Sequence, residues 1–162
     1  MKWETVSTSI GRTVYTLWNN GLKLTTLVFN SASNAARIEY ANQRRVVLIR
    51  DEGFLKNKTV LRNEYGIRIG HTGSERNENF IVLNDERYFY SLTREQKPAL
   101  TVYKQTIDQP LAVCELNIQE GLLSKTGHKM HIAQKTLCSL LIGLCWHLFT
   151  PFESGSALEV SI

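Results

Sequence analysis

The 162 residues are 43% apolar and 21% charged, with a formal net charge of +4. That is the profile of one ordinary globular domain, and it excludes a low-complexity, collagenous or disordered chain. Cys114, Cys138 and Cys145 are odd in number and lie in apolar surroundings, so a disulfide framework is not expected.

The opening segment, MKWETVSTSIGR, lacks the basic start and apolar run of a secretory signal, and a cytoplasmic chain is expected, with a peripheral place at a membrane left open. The match to a glycosylation acceptor at Asn57-Lys58-Thr59 is then a chance one. Thr13 to Trp18 leads into Asn20-Gly21, a pair with ready access to positive φ, and Leu22 to Phe29 returns as the second strand of a hairpin. Arg37 to Tyr40 and Val46 to Arg50 flank Ala41-Asn42-Gln43 as a further hairpin, with Asp51-Glu52-Gly53 as the next turn. Phe54 to Leu61 and Tyr65 to Ile69 read as strands, the latter alternating. His71 to Asn79, polar and glycine-containing, reads as a loop, and turn formation accounts for the glycines of Gly66-Ile-Arg-Ile-Gly70-His-Thr-Gly73. Phe80 to Leu83 and Tyr88 to Leu92 pair across Asn84-Asp85-Glu86. Leu100 to Lys104 and Leu111 to Leu116 then flank Thr106 to Pro110, with Pro110 where no ladder donor is needed.

Turn signals at this spacing predict an all-β sandwich or barrel with no crossover helices. After Asn117 the pattern changes. Helical spacing begins near Lys129 to Ile132, and Pro151 stops the segment, which predicts a helix over about 130–150 inside one domain of residues 1–153, with 154–162 as a short tail. Its stretch LCSLLIGLCWHLF, Leu137 to Phe149, is apolar nearly all round and must be wrapped by protein or lipid. Thirteen residues are short for a bilayer, which needs about 20, so a tail anchor is the lesser reading. At 100° per residue, His131, Lys135, Ser139, Gly143 and His147 form one narrow stripe whose small members admit a neighbouring strand. The prediction is a mainly β protein, a closed antiparallel barrel of about ten to twelve strands enclosing a hydrophobic C-terminal helix.

A dozen short strands followed by one hydrophobic helix resembles the tubby carboxy-terminal-like superfamily, which includes the phospholipid scramblases and the LURP-one-related proteins. The resemblance is strongest at LTVYKQTIDQPLAVCELN and KTLCSLLIGLCWHLFTPFE. It implies a barrel threaded by its last helix and, from the tubby branch, binding of phosphoinositide or phospholipid headgroups by basic side chains. The proline- and cysteine-rich leader of scramblases has no counterpart here, and lipid translocation is not among the expectations.

Residues 37 to 68 carry the whole charge excess, eight cations against four carboxylates. Lys56, Lys58, Arg62, Arg68, Arg44 and Arg45 are the candidates for an anionic partner, a lipid headgroup or an acidic protein surface, although mixed charge on strands also describes an ordinary solvated face. Nucleic acid is disfavoured, because the excess is small and no groove-reading helix is expected. No nucleophile elbow, zinc-protease motif or phosphate loop occurs, and no cofactor is expected. His128 and His131 are spaced as a metal pair without a third ligand nearby. The reading is a non-enzymatic binding or scaffolding module. The alternative is a small-molecule or enzymatic pocket at the barrel mouth near His71 or His147.

Overall fold

A computed structural model describes residues 1–55, 58–93, 97–104, 109–118 and 127–149, with side chains of the helix described from 134 onward. Among these residues eleven strands precede one helix: β1 Lys2–Ser9, β2 Arg12–Asn19, β3 Leu22–Asn30, β4 Ala35–Tyr40, β5 Gln43–Glu52, β6 Lys58–Asn63, β7 Arg68–Glu75, β8 Glu78–Leu83, β9 Glu86–Thr93, β10 Ala99–Tyr103, β11 Pro110–Asn117 and α1 Gly127–Phe149. The strands form a closed barrel in which each pairs with its neighbour in sequence.

The ring is antiparallel everywhere except at its seam, where β1 runs parallel to β11 with Lys2 opposite Glu115 and Trp3 opposite Leu116. This corrects the expectation of a wholly antiparallel barrel, and the reason is parity. In an up-and-down ring each strand reverses the last, so an odd number leaves the first and last pointing the same way. The seam requires β1, which the sequence reading did not assign as a strand.

Two-residue turns set most of the register. Asn20 and Gly21 have φ of 49° and 78°, the double positive φ of a primed hairpin turn. Asn84 and Asp85 do the same between β8 and β9. Ala41-Asn42 adopts this conformation too, with Ala41 at φ 47°, where a Cβ is unfavourable. Ala41→Gly should therefore raise the unfolding free energy by about 1 kcal/mol, read as a higher urea midpoint at unchanged m-value.

Three expected boundaries move. β5 continues through Glu52, so Asp51 and Glu52 belong to the strand and not to the turn. Phe54 and Leu55 stand exposed in the β5–β6 connection instead of opening a strand, and Tyr65 with Ile67 occupies the β6–β7 turn. His71 to Glu75 is strand, and the turn falls at Arg76-Asn77, both at positive φ. An arginine in that conformation gives no turn signal. Of the glycines in this stretch, Gly66 is a turn former as expected, at φ 79° in the β6–β7 turn, whereas Gly70 and Gly73 are not. Gly70 and Gly73 lie within β7, where a Cβ on Gly70 would overlap the Val82 carbonyl oxygen and one on Gly73 would enter the Phe80 ring.

The helix fills the lumen. Eight consecutive residues, Cys138 to Cys145, are buried, which covers every side of two helical turns. An eight-strand barrel can be filled by strand side chains alone, whereas eleven strands leave a wider interior that matches a helix about 10 Å across. Trp3, Leu17, Leu27, Ile38, Ile49, Leu61, Ile81 and Leu100 line it, each fully buried. Gly143 supplies a close approach: a Cβ there would lie 3.1 Å from both Leu27 Cδ1 and Trp3 Cζ2. Ser139, the other small member of the stripe, is buried and donates to its own helix at the Thr136 carbonyl, 2.7 Å.

Strand alternation gives the barrel two distinct ends. The β1–β2, β3–β4, β5–β6 and β7–β8 connections share one, where the helix enters and Lys135 pairs with Asp51 at 3.1 Å. The β2–β3, β4–β5, β6–β7 and β8–β9 turns share the other, where the helix ends. Among the described residues no helix is long and apolar enough to cross a membrane. The expected tail beyond Glu153 lies outside the described residues.

Candidate functional site

The exit end holds a concave site. Arg44 and Arg45 open β5, with Arg45 opposite Ile38 and Arg44 opposite Glu39. Because Ile38 faces the lumen, Arg45 turns inward at the mouth, and its guanidinium lies 4.5 Å from the Trp146 ring centroid on the helix. Arg44 turns outward and meets Glu39 at 3.4 Å, a carboxylate it shares with Arg37. Beside them a cavity of about 630 Å³ opens between β5, the β6–β7 and β8–β9 turns and the end of the helix. Its floor is apolar, built of Ile142, Cys145, Trp146 and Phe149. Its rim is polar, with Asn63, Asn84, Glu64 and Glu86 beside the two arginines. Phe149 stacks on Tyr88 at 4.0 Å, which fixes one wall.

The other basic candidates do not join this site. Arg62 spends its donors within the fold: Nε and Nη2 bind the two Glu52 oxygens at 2.8 and 3.1 Å, and Nη1 binds the Gly66 carbonyl at 3.0 Å. That bidentate pair holds the Glu52 carboxyl below the usual carboxylate range, with Arg68 adding a smaller attraction. Arg68 stands opposite Arg62 in the β6–β7 ladder, exposed on the outer wall. Lys58 begins β6, at the entry end. Lys56 lies outside the described residues, as does Asn57 of the acceptor match.

The two histidines proposed for a mouth pocket are far apart in the fold. Gly70 pairs with the core residue Leu61, so His71 points outward, where its ring meets Phe80 edge-on at 6.1 Å. Burial lowers its pKa, and Arg68, Arg87 and Lys58 lower it further. This corrects the placement of His71 near a mouth. His147 does lie at the exit end, edge-on to Tyr40 at 5.1 Å, with its pKa lowered by burial. Among the described residues no group of three metal-ligating side chains converges. The side chains of His128 and His131 lie outside the described set.

The three cysteines are free and buried. Burial pushes the thiols of Cys114 and Cys138 up to about 12, and that of Cys145 upward as well. At pH 8 the native protein should leave a chromogenic disulfide reagent unreacted, and all three thiols should titrate after addition of guanidinium chloride.

The cavity residues Asn63, Asn84, Trp146 and Phe149 were not singled out in the sequence as a group. Counting strands would have brought them together, since turns two strands apart return to the same end. No protein-family model matches the chain, and no curated protein or solved structure shows significant similarity to it.

Proposed function

We propose that this protein is a non-catalytic binding module that receives an anionic amphiphile at the exit mouth, on a barrel of the tubby carboxy-terminal-like plan. The architectural part rests on a closed up-and-down ring threaded by a helix that follows every strand; eleven strands and a parallel seam are the departures from the dozen antiparallel strands of the resemblance. The functional part rests on one observation. Arg45 is held against Trp146 at the lip of an apolar-floored cavity and makes no ion pair among the described residues, while Arg44 and Arg62 are both engaged by carboxylates.

A planar guanidinium pinned on an indole retains free edges for a phosphate or carboxylate. The floor then takes an apolar tail, and the volume is within the usual ligand-pocket range of about 300–1,000 Å³. Phospholipid headgroups with part of an acyl chain are one source of this chemistry, and single-chain fatty acids are another. Glu64 and Glu86 on the same rim disfavour a bare polyanion and favour a ligand whose binding is shared between charge and tail.

Titration with dodecyl phosphate, dodecanoate and dodecyltrimethylammonium separates the possibilities. The two anions should bind and perturb Trp146 fluorescence, the cation should not, and Arg45→Gln should weaken the anions by roughly tenfold or more. Arg62→Gln should leave the affinity unchanged. Equal binding of cation and anion, or indifference to Arg45→Gln, would sink the reading.

A further inference from the structure

The entry end carries a second surface of different character. Ile10 in the β1–β2 turn and Phe54 in the β5–β6 connection are wholly exposed, at 105% and 101%, and the adjoining Leu55 is 76% exposed. Single exposed apolar residues are common on protein surfaces. Here three stand on the connections of one barrel end, where strand alternation brings them to a common rim.

Among the described residues the charge at that rim is one-sided. Arg12, Lys58, Arg76 and Lys97 are exposed there and make no ion pair among the described residues. Three described carboxylates at the same end are occupied: Asp51 by Lys135 at 3.1 Å, Glu52 by Arg62 at 2.8 Å, and Glu75 by Arg87 at 2.9 Å. Half-buried Glu78 is the remaining acid among the described residues of these turns. Apolar tips standing out from a ring of unneutralised cations match a surface that is negative outside and apolar beneath.

We propose that the entry end docks on an anionic phospholipid membrane, with Phe54, Leu55 and Ile10 entering the interfacial zone while Arg12, Lys58, Arg76 and Lys97 face the lipid phosphates. A bilayer suits this geometry better than a folded partner. The tips stand in solvent on two separate connections, Ile10 on one and Phe54 with Leu55 on the other, and a fluid surface accepts each singly, whereas a protein would need a matching pocket for each. Docked this way, the barrel holds its exit mouth away from the lipid, open to solution. The inference does not depend on what the mouth binds.

The test uses the full chain with vesicles of phosphatidylcholine, with and without phosphatidylserine. Co-sedimentation should require phosphatidylserine and fall with added salt, because exposed charges are screened. The variant carrying Phe54→Ser and Leu55→Ser should bind such vesicles roughly tenfold more weakly or worse. Both side chains lie in solvent, so its unfolding midpoint should not move, and it should still take dodecyl phosphate. Conversely, Arg45→Gln should keep vesicle binding intact, which separates failure at one end from failure at the other. In Phe54→Trp, the added indole should shift to the blue on binding and be quenched by lipids brominated in the acyl chain. Binding equal on neutral vesicles, vesicle affinity unchanged in the double serine variant, or an unquenched indole at position 54 would each overturn the proposal.

Discussion

Ending the chain before Leu137 should leave a polypeptide that does not fold. Leu140, Leu141, Ile142 and Leu144 are each at or below 1% exposure, and burying such side chains stabilises a fold by about 1.5–3 kcal/mol apiece. Together they supply about 6–12 kcal/mol, comparable with the whole stability of a typical domain, about 5–15 kcal/mol. The strands cannot compensate. Without the helix, Trp3, Leu27, Ile49 and their neighbours would line a lumen wide enough to admit water, and a ring of eleven strands cannot contract onto itself without changing its number of strands. The truncated chain should aggregate on expression and show no cooperative thermal transition. Leu141→Ala in the full chain provides the graded version, with an expected loss of about 2–5 kcal/mol in urea unfolding.

Gly70→Ala should be the most damaging single-methyl change in the sheet. The added carbon would overlap the Val82 carbonyl oxygen, which is backbone of the neighbouring strand and cannot turn aside. Relief requires β7 and β8 to separate beside the irregularity where the β6–β7 register skips Ile69. A loss of about 3 kcal/mol or more in unfolding free energy is expected, in the range reserved for strain and broken pairing. Gly73→Ala is the control. The atom met there belongs to the Phe80 ring, which has its own torsions, so a loss of about 1–3 kcal/mol is expected. Equal effects at the two positions would show that the cost comes from loss of glycine alone and not from the strand contact.

The helix was legible in the sequence because its two signals agree. It is apolar on nearly every side, and the small residues Ser139 and Gly143 fall on its narrow stripe, as a helix surrounded by strands requires. The hairpins at Asn20-Gly21 and Asn84-Asp85 were legible because those residues tolerate positive φ. What stayed hidden had conflicting local chemistry. β1 is polar at Thr5, Ser7, Thr8 and Ser9, its Val6 is exposed, and only Trp3 reaches the core, so no alternation announces it. β7 contains two glycines and a histidine, composition that reads as loop, yet tight neighbours hold it extended. Phe54 read as strand because it is aromatic, although its side chain lies in solvent.

The candidate site was legible in part. The basic excess over residues 37 to 68 is real in sequence, but the strands distribute its five described candidates to three places: Arg44 and Arg45 at the exit mouth, Lys58 at the entry end, and Arg62 with Arg68 on the wall. Charge counting cannot see this, because the end on which a residue falls depends on the number of strands before it. Nor can it see that Glu52 consumes both ends of the Arg62 fork while Arg45 is left with an indole.

The central claim is that the last helix runs inside the ring, and the contact at Gly143 tests it most directly. In a nuclear Overhauser spectrum of the full chain, the Gly143 α protons should show cross-peaks to the Trp3 indole and to the Leu27 methyls, residues on β1 and β3. Tyr40 to His147 and Tyr88 to Phe149 should appear in the same spectrum, marking the exit end. If Gly143 instead shows cross-peaks only within its own helix, or to added detergent, the helix does not fill the barrel and the account of this fold is wrong.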